Sequence, residues 1–506
     1  MIHTVRRPPQ HRFSVRDILA GLSVALVLIP QSMAYAELAG MPGHYGLYAG
    51  AVPSIAAAFF ASSPYLQTGP VATTSLLTFG ALVPLAAPGS GEYVALAALL
   101  ALVVGAMRVA VGLLKAGWVS YLMSSPMLNG FMSGAAVLIV ASQLPGALGS
   151  GAPDAGVLAR AVWTLGHPAA WEPRSAGLAG VTVLFIVGGR KIHSLVPGVL
   201  LAAVVGMVYS VVTDYPGATI GHIPTGLPPF SLHLPWRQLP TLVLPGTVIA
   251  LVGFSEAASI SRMFASEDRQ RWNANREFLS QGVANLASGL SGGFPVGGSF
   301  ARSSLARFSG AQSRWTGLVS GTAVLLFLPF AGVLAPLPRA VLAGIVISAV
   351  WNLFRPRALM ALWYLSRPQA LVGWSTFVLT LALAPHVEHA VLLGILIAGA
   401  VHLLREIQID VVTHREGDTL HVEPKGVLWF GSAPALEDAI ITQLARERGV
   451  TRVVIHCGGL GRIDLTGAWS LSQMLEDIRS ADIRIDMQGV PAHARRVLHA
   501  VGEEPA

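Results

Sequence analysis

Gly292-Gly293-Phe294-Pro295-Val296-Gly297-Gly298-Ser299-Phe300-Ala301-Arg302-Ser303-Ser304 lies deep in apolar sequence, yet it carries four glycines, a proline, three serines and a full charge. A bilayer offers no water to a broken backbone, so such a stretch is tolerated only where it faces protein or an aqueous cavity. Glycines and a proline followed by Ser, Ala and Arg predict a helix that starts in mid-membrane. Its free N–H groups and positive dipole end would form an anion site, with Arg302 one turn inside. The alternative, on these residues alone, is a polar loop between two helices.

The surrounding composition makes the membrane the relevant solvent. Hydrophobic residues are 53% of the 506-residue chain and charged residues 12%, against about 25% charged in soluble domains. Apolar runs near the ~20 residues of a spanning helix recur from residue 17 to residue 404. The net charge of +7 resides mostly in arginines of short connections, which topology and lipid headgroups explain without nucleic acid. Arg6, Arg7, Arg12 and Arg16 precede the first apolar run and predict a cytoplasmic N-terminal segment, 1–14. That run has no small-residue cleavage pattern, so no cleaved signal peptide is expected. The single cysteine, Cys457, excludes an intramolecular disulfide and a multi-cysteine metal site. On a predicted strand it reads as a small core residue.

The first spanning helix, Asp17 to about Tyr35, is interrupted by Pro30-Gln31-Ser32, with Glu37 beyond it. Gln31 and Tyr35 are four apart and share one helix face. A second span covers about Tyr45 to Ala61. Leu66-Gln67-Thr68-Gly69-Pro70-Val71-Ala72-Thr73-Thr74-Ser75 then repeats the design of the 292–304 stretch. It places Gly-Pro at the start, Pro in the first helical position and an apolar part too short to span. Two such segments, in corresponding places of two halves, point to a transporter site at the bilayer midplane.

Further spans are predicted at 93–114, 128–145, 176–189 and 195–213, with a polar connection at 149–174. The proline-rich link 214–240 divides the halves. In the second half, Pro245 to Phe264 carries Glu256. A charged loop of Arg262, Glu267, Asp268, Arg269 and Arg271 follows, then a helix from Arg276 to Leu290 and the 292–304 stretch. Spans at 315–334, 337–354, 369–384 and 388–404 complete an inverted repeat, 15–213 against 241–404, within a transport domain 15–404. From 405 to 506 short β-like runs (419–422, 427–430, 453–456, 483–487) alternate with helical stretches (434–448, 467–481, 491–501), which predicts a small α/β domain.

Several of these motifs together resemble the sulfate permease (SulP) family of anion transporters. They are Asp17-x-x-Ala20-Gly21-Leu22, Pro30-Gln31-Ser32-Met33-Ala34-Tyr35-Ala36, Tyr45-Gly46-Leu47-Tyr48, Thr68-Gly69-Pro70-Val71-Ala72 and Gly292 to Ser303. The C-terminal domain resembles a STAS domain (sulfate transporter and anti-sigma factor antagonist), with Ile463-Asp464-Leu465-Thr466-Gly467 at its characteristic loop. The resemblance implies about fourteen membrane segments in two inverted repeats, core and gate subdomains, and a homodimer in a bacterial inner membrane with the STAS domain cytoplasmic. It places the anion between the N-termini of the third and tenth segments, here Gly69, Pro70, Val71 and Ala72 against Gly298, Ser299, Phe300, Ala301 and Arg302. Gln31 and Tyr35 come from the first segment. Many relatives have Ser at Ala301, so one hydroxyl donor is missing here, and many have an apolar residue at Glu37.

Two helix N-termini bind an anion through backbone donors without a dedicated cationic clamp. Arg302 either offsets the anion's charge or pairs with Glu256. An ionisable residue in the membrane is a functional candidate, so Glu256, and after it Glu37, are the candidate carriers of a coupling proton. The alternative for Glu256 is permanent pairing with Arg262 or Arg302. Asp464 and Thr466 are either a phosphorylation point that a cytoplasmic partner reads or a helix cap. His386 and His389 flank Glu388, but more ligands at suitable spacing would be needed, so a solvated turn and no metal are expected. No nucleophile–base pair or phosphate loop stands out, so neither an enzyme nor a cofactor is expected. The expected function is proton-coupled symport of sulfate, bicarbonate or a dicarboxylate. Its alternatives are sodium coupling, anion exchange, a nucleobase-type carrier and a non-transporting sensor.

Overall fold

The computed structural model describes residues 13–503 except 122, 194–195, 225, 231–232 and 352. Arg6, Arg7 and Arg12 lie outside the described residues. The chain divides into two compact units, Met1–Ile395 and Leu396–Ala506.

The first unit opens with α1 (Val15–Leu38), capped by Ser14 and Asp17 in a reciprocal capping box, and α2 (His44–Phe60). The interruption expected at Pro30 is not found: α1 runs through it as one continuous helix. A three-residue strand β1 (Gln67–Gly69) leads into α3 (Ala72–Leu82). Pro70 therefore precedes the helix instead of taking its first position. Then come α4 (Gly91–Leu113) and α5 (Ser125–Leu148). The predicted connection at 149–174 contains a short helix, α6 (Val157–Gly166). The half ends with α7 (Pro173–Ile192) and α8 (Gly198–Val212).

The second half repeats the sequence of elements. α9 (Leu239–Glu267) is longer than predicted and takes in Arg262 and Glu267 from the expected charged loop. It is followed by α10 (Ala274–Leu290), the strand β2 (Gly297–Ser299), the short α11 (Phe300–Phe308) and α12 (Trp315–Phe327). α13 (Arg339–Val350), an unforeseen α14 (Pro356–Leu365), α15 (Arg367–Ala382) and α16 (Val387–Ile407) complete it. Among the described residues, six helices meet length and hydropathy requirements for crossing a bilayer. α3, with 11 residues, and α11, with 9, do not; at about 1.5 Å per residue each reaches roughly half of a ~30 Å core.

Helix pairing shows the internal symmetry. α10 packs on α4 as α2 packs on α12, and α15 packs on α5 as α7 packs on α13. Glycines permit these approaches. A Cβ on Gly105 of α4 would stand 2.6 Å from the Leu286 nitrogen of α10, and one on Gly321 of α12 would stand 2.6 Å from the Ala51 oxygen of α2. The same holds for Gly130 against the Gly373 carbonyl (2.1 Å) and Gly344 against that of Ala179 (3.0 Å). Small residues at crossing points are how helices associate where lipid offers no hydrophobic driving force.

The second unit is a mixed sheet with helices. β3 (Asp410–Glu416) runs antiparallel to β4 (Thr419–Leu428), and β4, β5 (Arg452–His456) and β7 (Arg484–Gln488) are parallel, with β6 (Leu460–Ile463) beside β4. The helices are α17 (Ala433–Arg446), α18 (Leu465–Ser480) and α19 (Ala492–Ala500). β3 and β6 were not predicted, and the two expected runs 419–422 and 427–430 are parts of one strand and its end. Leu420, Val422, Leu436, Ile440, Val453, Ile455, Cys457 and Leu475 form its core. Burial pushes the Cys457 thiol up to about 11, so it is an inert core group.

Candidate functional site

The two interrupted stretches meet. β1 and β2 pair antiparallel, Gln67 with Ser299, Thr68 with Gly298 and Gly69 with Gly297, and all six residues are buried. Such backbone inside a membrane unit needs partners, and neighbouring helices provide them. From α2, Ser54 Oγ donates to the Thr68 carbonyl at 2.6 Å. From α10, Gln281 Nε2 donates to Thr68 Oγ1 at 2.7 Å, Asn285 exchanges bonds with both backbone groups of Val296, and Ser288 Oγ donates to the Phe294 carbonyl. From α11, Ser303 Oγ accepts the Gln67 N–H at 2.9 Å.

Each half-helix then starts at this clasp. Val71 is the extended N-cap of α3 and offers no capping side chain, so the first N–H groups of α3 are left to other acceptors. Ser299 is the N-cap of α11 and accepts the Arg302 N–H at 3.4 Å. Gly69 has φ +155°, and a Cβ there would stand 3.3 Å from Arg302 Nη2 and 3.4 Å from Leu28. The backbone conformation favours glycine, and a side chain there would press on Arg302 and Leu28. A Cβ on Gly298 would stand 2.7 Å from Leu66 and 3.0 Å from Ala257.

Arg302 is fully buried and joins three elements. Its Nη1 donates to Gln31 Oε1 at 3.0 Å and its Nη2 to the Pro70 carbonyl at 2.8 Å. Gln31 and Tyr35 are both buried on α1, and Tyr35 is an electrostatic neighbour of Arg302. Among the described residues no ion pair joins Arg302 to Glu256, so the pairing alternative does not describe this arrangement. Glu256 instead lies beside Thr73, in the first turn of α3, and its Oε2 has no hydrogen-bond partner. Phe300 and Ala301 are exposed, and Phe300 lies parallel to Phe264 with ring centroids 6.5 Å apart. Glu37 stands apart, about 9 Å further along α1 than Gln31, where it pairs with Arg339 at 3.5 Å.

Sequence reasoning missed the residues that hold the clasp. Arg108 on α4 is fully buried and donates to the Ile249, Ala250 and Val296 carbonyls at 3.0, 3.1 and 2.9 Å. Its signal was available, as a charge inside an apolar run. Asp17, quoted only as part of a motif, accepts the N–H groups of Gln312 and Ser313 and the hydroxyls of Ser313 and Thr316. Glu277 likewise accepts the N–H groups of Ser62 and Ser63 and of the Trp272 ring. One carboxylate thus fixes the segment after α11 and the other the segment before β1.

In the second unit Asp464 caps α18 by accepting the Gly467 N–H at 2.7 Å and also accepts the hydroxyl of the exposed Thr466. The turn before α16 differs from expectation: His386 and His389 are half exposed, but Glu388 between them is buried.

A helical membrane unit whose half-helices meet N-terminus to N-terminus, followed by a mixed α/β domain, defines the architecture of a multi-pass secondary carrier. The model of the sulfate permease family matches residues 15–376 and that of a STAS domain residues 411–504. The chain belongs to the sulfate permease family, whose named members are transporters and not enzymes. It is 35% identical over 69% of its length to a Mycobacterium tuberculosis protein named "Probable sulfate transporter", and spans 63% of that relative's length. Among solved structures it resembles the transmembrane domain of a cyanobacterial bicarbonate transporter (25% identity, TM-score 0.66, covering 77% of this chain and 99% of that one). It also shares its fold with the murine Solute Carrier 26 family member A9 anion transporter in the inward-facing state (19% identity, TM-score 0.89, 97% and 88% covered). The fold is therefore polytopic helical with a STAS domain.

Proposed function

We propose that the chain is a secondary transporter that moves a small oxyanion, sulfate first, by alternating access. The observation that carries this reading is the β1–β2 clasp, which aims the uncapped start of α3 and the Ser299-capped start of α11 at one place beside a fully buried arginine. Backbone N–H groups and two dipole ends favour an anion there while leaving it releasable. In this proposal Gly69, Pro70, Val71 and Ala72 line one side and Gly298, Ser299, Phe300, Ala301 and Arg302 the other, with Gln31 and Tyr35 completing it. Sulfate is the substrate named for the mycobacterial relative and bicarbonate that of the cyanobacterial neighbour. The missing hydroxyl at Ala301 leaves bicarbonate and dicarboxylates as the competing cargoes.

Glu256 carries the coupling proton, with Glu37 second, because Glu256 touches the first turn of α3 through Thr73. The helices α1–α4 with α9–α12 form the core, and α5–α8 with α13–α16 form the gate. The exposed Phe300 and Ala301 fit access from the side where α11 ends, and the Glu37–Arg339 pair fits closure at the other. Lys115, Arg269, Arg271, Arg314 and Arg355 fall in connections and Arg367 opens α15; counting successive spans assigns them to one side, which by the positive-inside rule is the cytoplasmic face of a bacterial inner membrane. The N-terminal segment 1–14 and the STAS domain 405–506 lie on that side, and the functional unit is a homodimer. The test is uptake of labelled sulfate, bicarbonate and succinate into proteoliposomes, with and without imposed pH and sodium gradients. Sulfate uptake driven by an inward proton gradient is expected. Uptake that follows a sodium gradient alone, or needs a counter-anion inside, would replace proton symport by sodium coupling or exchange.

A further inference from the structure

We infer that His386, Glu388 and His389, at the turn between α15 and α16, form a binding site for one divalent transition-metal ion of the Zn2+ type. One ligand atom from each residue lies within 4.8 Å of the others. The turn that presents them is fixed. The Val387 N–H donates to the Pro385 carbonyl at 2.7 Å and the His389 N–H to the His386 carbonyl at 3.2 Å, so the two imidazoles, three residues apart, stand on one side. The loop is also seated on α3: a Cβ on Gly80 would stand 2.2 Å from the Pro385 oxygen and 3.4 Å from Val387.

Glu388 shows that this is more than a polar surface turn. Its side chain is 7% exposed, against 48% and 51% for the two histidines. Its Oε1 lies 3.2 Å from His386 Nδ1 and 3.6 Å from His389 Nδ1, while Oε2 is buried and has no partner. A carboxylate in the first turn of a helix is favoured by the dipole, which explains why Glu388 stands in α16 but not why one of its oxygens is buried without a donor. Such an oxygen is destabilising, because its lost hydration is not replaced. A cation held by the two imidazoles, which face Oε1, supplies the missing partner of Oε2 when the carboxylate binds it through both oxygens. Two imidazoles and one carboxylate, with water in the fourth position, suit Zn2+ and its neighbours, and do not suit Mg2+ or Ca2+, which prefer oxygen ligands.

The experiment uses the untagged full-length protein in detergent, stripped of metal, with Zn2+ titrated against a chromophoric chelator. The comparison is the His386→Ala/His389→Ala double variant. Wild type is expected to bind one more tight equivalent of Zn2+ than the double variant, with at least about a tenfold loss of affinity at that site. Binding is expected to weaken in acid, because imidazole must be deprotonated to ligate, and Zn2+ is expected to raise Tm in wild type only. Equal stoichiometry and affinity in the two proteins would overturn the assignment. Should the double variant misfold, His389→Ala alone carries the same comparison, since that side chain is half exposed. His421→Ala, which removes a histidine of the second unit, is expected to leave the difference unchanged.

Discussion

α3 and α11 occupy equivalent places in the two halves and start at the same antiparallel clasp, yet their chemistry is unlike. α3 begins at Val71 without a capping side chain, and its first residues, Ala72 to Ser75, are all buried. α11 begins under a serine cap, carries a buried arginine, and exposes Phe300 and Ala301. The supports differ as well: Arg108 from α4 holds the approach to β2 through the Val296 carbonyl, whereas serine and glutamine side chains hold β1. Repetition builds the geometry, two helix ends facing one point. Divergence between the copies then assigns bare backbone donors to one side and charge with a hydroxyl to the other.

The most severe way to break this comparison is at the clasp. Gly69→Val introduces a branched side chain where φ is +155° and Arg302 Nη2 stands 3.3 Å from the new Cβ. Uptake is expected to fall at least about a hundredfold, or ~2.7 kcal/mol, and uptake with unchanged half-saturation would move the site elsewhere. Arg302→Ala comes next. It leaves Gln31 and the Pro70 carbonyl without their donor, at about 1.5–3 kcal/mol per charged hydrogen bond, and uptake is expected to drop about tenfold or more. Arg302→Lys tests charge against geometry, because lysine keeps the charge and loses the two-pronged fork. Recovery to wild-type uptake would show that the fork across Gln31 and Pro70 is dispensable.

Coupling should divide unequally between the two carboxylates. Glu256→Gln is expected to abolish the response of uptake to an imposed pH gradient while the protein stays folded. Glu37→Gln is expected to reduce it less, since Glu37 is tied to Arg339 at a distance from the clasp. An undiminished pH response in Glu256→Gln would remove it from the coupling path. The smallest change, Ala301→Ser, adds to α11 the hydroxyl that many relatives carry. One further donor to a charged ligand is expected to lower the half-saturation for sulfate about fivefold, and a rise would indicate that Ala301 makes room for a bulkier cargo.

The sequence carried the outline of this arrangement because its main signals are compositional. Gly69-Pro70 and Gly297-Gly298 are conspicuous in apolar sequence, and the short apolar tracts behind them cannot span a bilayer. The antiparallel pairing of 67–69 with 297–299 was not legible, since three-residue strands have no periodicity to detect. Pro30 was over-read as an interruption, although a bundle can keep a proline inside a continuous helix. Of the two roles offered for Arg302, the pairing with Glu256 gave way to a bridge from Gln31 to Pro70, which depends on a contact across 271 residues of chain. Asn285 and Glu277 lacked a local motif altogether, and Arg108 stood out only as a charge in an apolar run; the partners of all three are set by tertiary packing.

The central claim is that one anion sits between the starts of α3 and α11. Crystals grown with selenate as the sulfate stand-in test it through the anomalous signal of selenium. A peak that puts selenate oxygens within hydrogen-bonding distance of backbone N–H groups of both Ala72–Thr73 and Phe300–Ala301, lost in Gly69→Val, is the expected result. Selenate bound only outside that place, with transport of sulfate intact, would contradict the account.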